Sequence, residues 1–399
     1  MPAEALGTAF FFHHYAIIGP QCSAVDTAFA RLSRLAVGMA GAATSRKDVA
    51  MMTQARFKYA LSLQHLARAV NNPAEMTAAS TLAAVNKLSM FEMITCQSYS
   101  SMDAYLHHIR GLVALIKRWG RSDWISMKNL SGGLHVMFLA TIACLIEKIP
   151  IDEHVSVLVA DPSAFESEDD DLSPARRLFE IVSKFTRFYS SIMTSKVPVV
   201  VQAISDAMGI EEDLSTWQNT LPITWEPLIM SNTEEKVHGK EHIVYNASWH
   251  AYIWSFYRIC RILLHNVLLR HLDAIASSMP TAHPALILAY EEQRRASQDV
   301  LTSTWRALQA SVPFMLGSHG STNGQNAAKL RHSTVFGLVA VLQVLMSSTD
   351  IPLGDERWLH ETLLFIGENI GVGQALVLKR SMTEIKPNAP SPVFAHRSL

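Results

Sequence analysis

The chain has 399 residues, too many for one simple core, since single cores rarely grow past roughly 250–300 residues, so two domains or one large helical array are the architectures of this length. Apolar residues make up 49% and charged residues 17%, with 34 basic against 35 acidic side chains, which argues against a disordered chain and against one that coats a polyanion. Four cysteines, at 22, 96, 144 and 260, fit neither a dense disulfide framework nor a zinc module with paired short spacings, and they point to a reducing intracellular compartment.

The amino terminus, MPAEALGTAFFFHHYAIIG, has an apolar run but no early Lys or Arg, and His13–His14 interrupt it, so it does not read as a secretory signal. Tyr59, Leu63, Leu66 and Val70 fall on one helix face, as do Ala84, Leu88, Phe91 and Ile94, with Asn71-Asn72-Pro73 breaking the chain between them. From Ser101 to Trp119, two apolar faces share one helix, which predicts burial on both sides. Gly120 and Asp123 supply a stop and a cap for a helical stretch reaching Glu147 before Pro150. Residues 161–174, acidic and flanked by proline, predict an exposed loop. Helical patterning resumes over 175–193 and 199–208; residues 210–245 read as irregular, with Pro222 and Pro227. Long helices are predicted at 246–277 and 284–312, then a Gly/Ser/Asn-rich loop over 317–326, helices at 327–347 and 355–380, and a proline-bearing tail over 387–399 that has no core pattern and reads as frayed.

No alternating strand pattern and no fixed-period repeat is visible, so the predicted class is all-α, one large multi-helix array over 1–386. The most apolar windows, Leu134 to Ile146 and Val335 to Met346, contain His135 and Gln343 and fall well short of the ~20 apolar residues of a membrane span. No membrane association is expected.

Phosphate-cradling loops, a GxSxG elbow and HExxH are missing, and Gly371-Val372-Gly373 reads as a close helix contact within a helical region. The adjacent pairs His13–His14 and His107–His108 invite a metal reading, but neighbours on a helix point about 100° apart and do not chelate one ion. Neither a metal nor a cofactor is expected, and the residues name no catalytic group.

Two constellations stand out. Trp254, Arg258, Arg261 and His265 lie on one helix face while Ile253, Phe256, Tyr257 and Cys260 cover the rest. Structurally, the arginines would pair with acidic residues of a neighbouring helix; functionally, they would border an internal pocket for an anionic or aromatic ligand, with Arg as fork and Trp as stacking face. Glu92 sits among Met90, Phe91, Met93 and Ile94, where a carboxylate needs a partner, with His108 or Arg110 the candidates. A Glu92–His108 pair reads either as a satisfied core contact or as a general acid–base couple.

Several of these segments resemble the fungal-specific regulatory domain of zinc-cluster transcription factors. Thr81-Leu82 through Phe91-Glu92, then Tyr105 to Gly111 and Trp119-Gly120, are similar in order to its TL…L..YE, W..HL.GA and RG signatures; Phe10 to Tyr15 and Tyr59-Ala60-Leu61 followed by Asn72-Pro73 resemble its earlier segments. Trp254 to Leu263 resembles its W-N-x-x-R-x-x-R-I-x-L element, with Ser255 in place of Asn, and Ala310 to Gly317 and Leu363 to Ala375 resemble its SVP[YF].LG and closing IG…G..QA segments. The resemblance implies an all-helical module that regulates metabolic or secondary-metabolite genes through small-molecule or protein contacts, and a nuclear location, with cytoplasm the alternative. Two departures matter. The family's DNA reader needs six closely spaced cysteines and a basic segment, which these residues lack, so direct sequence-specific DNA binding is not expected and a DNA-binding partner is. Residues 28–50 are shorter and richer in glycine than the family's helix there, which predicts remodelled amino-terminal helices. The competing reading is a small-molecule binder, or a cofactor-independent cyclase or isomerase of secondary metabolism, acting on an apolar or anionic small molecule on the same helical scaffold.

Overall fold

A computed structural model describes residues 2–14, 27–76, 79–120, 122–123, 131–161, 172–194, 200–231, 241–278, 284–317, 333–347 and 355–384. The expected loops at 161–174 and 317–326 and the tail at 387–399 fall largely or wholly outside them. The class is all-α. Fourteen helices are present among the described residues: α1 (Ala3–His14), α2 (Ala28–Arg46), α3 (Val49–Val70), α4 (Ala79–Thr95), α5 (Tyr99–Ile116), α6 (Ser131–Glu147), α7 (Glu153–Ala160), α8 (Ser173–Thr194), α9 (Val200–Asn219), α10 (Ser248–Ser278), α11 (Pro284–Met315), α12 (Ser333–Met346), α13 (Glu356–Phe365) and α14 (Gly373–Glu384). A single turn, Pro73–Met76, separates α3 from α4. None of these helices is long and apolar enough to cross a membrane.

The contacts divide the chain into two compact units, Met1–Ala143 with Gly320–Leu399, and Cys144–His319. The boundary falls inside α6, in an apolar run with no linker composition.

In the first unit, α2 begins at Thr27, whose hydroxyl accepts the Ala30 N–H, and ends at Lys47, which turns left-handed (φ 55°). Asp48 then caps α3 by accepting the Met51 N–H at 2.9 Å. Gly38, within residues 28–50, has a packing reason: a Cβ there would lie 2.8 Å from the carbonyl carbon of Gly7 in α1 and 2.9 Å from Phe11 Cβ. These two helices cross backbone to backbone. α5 starts at a Ser98–Ser101 capping box. It buries Tyr105, Leu106, Ile109, Leu112, Leu115 and Ile116, so both apolar faces are covered as the sequence predicts, while Asp103, His107, Arg110 and Gly111 form an exposed stripe. After α13 the chain makes one π-helical turn, Ile366–Ile370, and leaves it at Gly371 with φ 85°. Gly371-Val372-Gly373 is therefore a break between helices rather than part of one, but Gly373 is a close contact: a Cβ there would lie 2.8 Å from the Ile94 carbonyl oxygen. Arg380 donates to the Gln97 carbonyl at 2.7 Å, so α14 covers the chain just beyond the C-terminal end of α4.

In the second unit, α8 buries Leu178, Phe179, Val182 and Phe185 along one stripe, and the Trp217 indole of α9 donates to the Pro174 carbonyl at 2.7 Å. Two expectations are corrected here. The helix begun at residue 200 continues to Asn219, because the first proline that can stop it is Pro222. A short antiparallel hairpin, β1 (Leu228–Ser231) with β2 (Glu241–Val244), pairs Leu228 with Val244 and Ser231 with Glu241. All four β1 residues are exposed, so no apolar alternation marks it in the sequence.

Gly38→Ala is expected to lower stability although alanine is the better helix former by about 1 kcal/mol, because overpacking a backbone contact costs about 1–3 kcal/mol and here displaces α1. Denaturant titration measures this; an unchanged midpoint would mean that α1 docks elsewhere.

Candidate functional site

The constellations singled out in the sequence fall into two clusters, one per unit.

In the second unit, α10 carries Trp254, Arg258, Arg261 and His265 on one face as the spacing predicts. Trp254 is buried, donates its indole N–H to the Trp225 carbonyl at 3.0 Å, and meets Trp217 and Tyr257 edge to face with centroids 5.4 Å apart in both cases. Arg261 pairs with Glu211 of α9: Nε lies 2.9 and 3.1 Å from the two carboxylate oxygens, and Nη2 also donates to Oε1. Its Nη1 donates to the Tyr257 hydroxyl at 2.7 Å, and that hydroxyl donates to Gln218. His265, buried one turn on, places Nε2 3.1 Å from Glu211 Oε2, an ion-pair contact off the line of a straight hydrogen bond, while its Nδ1 has no partner. Burial pushes the Glu211 carboxyl up, but the His265 and Arg261 contacts outweigh it and hold the group down at about 2. Burial likewise raises the Tyr257 hydroxyl, to about 12.

Arg258 is treated differently. It is 3% exposed, donates Nη1 to the Tyr245 hydroxyl, and lies 5.4 Å from the Trp254 ring centroid and 5.8 Å from that of Tyr245. Among the described residues no carboxylate lies within ion-pair distance of it. Cation–π contacts contribute about 0.5–2 kcal/mol each, against an effective penalty of several kcal/mol for each ion removed from water. The rings and one phenol do not offset that cost as a carboxylate does at Arg261.

In the first unit, Glu92 of α4 and His108 of α5 are brought together, but through a third group. The Tyr59 hydroxyl of α3 donates to Glu92 Oε1 and lies 2.9 Å from His108 Nε2, leaving Glu92 and His108 3.9 Å apart. The Tyr59 hydroxyl thus bridges the carboxyl and the imidazole. Tyr59 also stacks on Phe91 at 4.4 Å. Burial raises Glu92 above the ordinary carboxylate range, only partly countered by the Tyr59 hydrogen bond, and raises the Tyr59 hydroxyl. Burial, with the His107 charge adding to it, lowers His108 to about 4, so the imidazole is neutral at pH 7. Such a group is poorly matched to proton exchange near neutrality, and the cluster holds three helices together as a satisfied polar contact.

No group of three or more His, Cys, Asp or Glu among the described residues is arranged to hold a metal ion. His107 Nδ1 lies 2.7 Å from the Asp103 carbonyl, and the side chains of His13 and His14 lie outside the described residues. Sequence reasoning misses Glu211, Tyr245 and Tyr59 as partners. The periodic face holding Tyr59 was the available signal for that residue; no signal marks the other two. Compared with known proteins, the chain matches no family model, no curated protein and no solved structure.

The two buried glutamates are expected to respond oppositely to neutralisation. Glu211 is depressed in the folded state, so its stabilisation is present above the unfolded value near 4.5 and is lost as pH falls toward about 2. Glu211→Gln should cost about 3 kcal/mol at pH 7 by leaving Arg261 unmatched, a loss that shrinks below pH 4.5. Glu92 is raised, so the folded state holds its proton more tightly and stability declines as pH rises through its folded value. Glu92→Gln should change stability at pH 7 by no more than about 1 kcal/mol in either direction. Denaturation across pH 2–8 distinguishes the two, and equal losses at pH 7 would refute the contrast.

Proposed function

We propose that the chain is a regulatory module of transcription that acts on metabolic or secondary-metabolite genes through a DNA-binding partner. The observation that carries this reading is the ordered set of segments resembling the fungal regulatory domain. The charge balance of 34 basic to 35 acidic residues supports a partner as the DNA reader, since phosphate contacts supply most of the affinity of a direct reader. Neither cluster offers a nucleophile beside a base or an acid–base pair tuned near neutrality, which weighs against the cyclase alternative.

The purified chain is expected to bind promoter DNA only weakly, without sequence preference, and with affinity that falls as salt rises. Deleting its gene should change transcripts of a confined gene set, with the chain present at those promoters only when a DNA-binding partner is present. A tight, specific shift by the chain alone would overturn the partner claim. Conversion of a pathway intermediate by the purified protein would overturn the regulatory reading in favour of an enzyme.

A further inference from the structure

Arg258 and Arg261 stand one turn apart on α10, and among the described residues only Arg261 is matched by a carboxylate. Arg261 turns its Nε–Nη2 edge side-on to Glu211, which occupies that edge with both oxygens. At Arg258 the Tyr245 hydroxyl takes Nη1 alone, and the Nε–Nη2 edge has no carboxylate among the described residues. A guanidinium has five N–H donors in a fixed fork, keeps its charge and has an edge shaped for two oxygens. We propose that the Nε–Nη2 edge of Arg258 is the anchor for the carboxylate of a small, largely apolar acid.

Three observations set that ligand class. The Nε–Nη2 edge is the one that binds a carboxylate bidentately, and the same helix shows that geometry at Arg261. The charge available is single, because Glu211 already neutralises Arg261, so a monoanion fits and a phosphate would bring surplus charge into a dry setting. The surroundings are aromatic: Trp254 and Tyr245 flank the guanidinium, and Tyr245 meets Phe314 at 5.2 Å, which favours an apolar body on the acid. At 3% exposure the ion pair would form away from water, where charge-assisted hydrogen bonds are strongest.

The site does not rest on the regulatory reading, and its test reads binding alone. The full chain, labelled with nitrogen-15, is titrated with benzoate and acetate as probes and with chloride and phosphate as controls, while the arginine Nε–H resonances are followed. Arg258→Lys identifies its resonance by loss; should that variant not fold, Tyr245→Phe identifies it by displacement while keeping the guanidinium. The expected result is a saturable displacement of the Arg258 signal by benzoate, and a weaker one by acetate, with the Arg261 signal stationary because Glu211 closes its fork. Arg258→Lys, where folded, should weaken benzoate binding about tenfold or more, since lysine keeps the charge and loses the fork. An Arg258 signal that stays still at saturating benzoate, or moves in step with Arg261 or with chloride, overturns the site. Tighter binding of phosphate than of benzoate overturns the carboxylate assignment.

Discussion

A guanidinium taken out of water keeps its charge, and the second unit is arranged around that constraint. α10 carries two of them one turn apart. The Glu211 carboxylate meets one, collects His265 as well, and thereby ties α9 to α10 across a part-buried contact. Tyr257 and Gln218 extend the same tie by hydrogen bonds, and Trp217 packs its ring on Trp254 and Tyr257 beside them. The aromatic residues partly cover the ion pair, which makes removal of either partner expensive. Packing and electrostatics are one device here, because the rings that fill the core also flank the cations.

Glu92 and Glu211 show how one residue type takes opposite roles under similar burial. Both lose hydration, and for both that loss favours the neutral acid. Glu211 faces an arginine fork and an imidazole and stays ionised. Glu92 faces a phenol and a neutral imidazole, neither of which brings a full positive charge, and burial prevails. The first glutamate fixes a charge in place, and the second connects three helices through Tyr59. Glu92 and His108 do not pair directly, because the Tyr59 hydroxyl stands between them and contacts both.

The long helices are legible in the sequence because their apolar residues recur three and four apart and their ends carry caps such as Asp48 and Ser98. The spacing also places the α10 stripe correctly. What stays hidden depends on contacts distant along the chain. Glu211 lies 50 positions before Arg261, in a stretch that the two downstream prolines make look irregular, although Pro222 stops the helix only after Asn219. β1 is too short and too exposed to alternate. Tyr59 is read as one more core position, since nothing in a helical stripe says that its hydroxyl will meet a carboxylate 33 residues on. Gly38 can be noticed in the sequence, but its reason is the Gly7 carbonyl of another helix.

These features bear on how such a scaffold can carry function without an evident catalytic group. Where the chain matches its buried polar groups internally, as at Glu211 and Tyr59, the contact specifies which helices neighbour each other and leaves no valence for a ligand. Where it does not, the unmatched group sets the chemistry of what could complete it. Arg258 and Arg261 share a helix, a face and aromatic neighbours, but among the described residues only Arg261 meets a carboxylate. A ligand that completed such a contact would bind the folded chain and not the unfolded one, and would thereby stabilise the core around it.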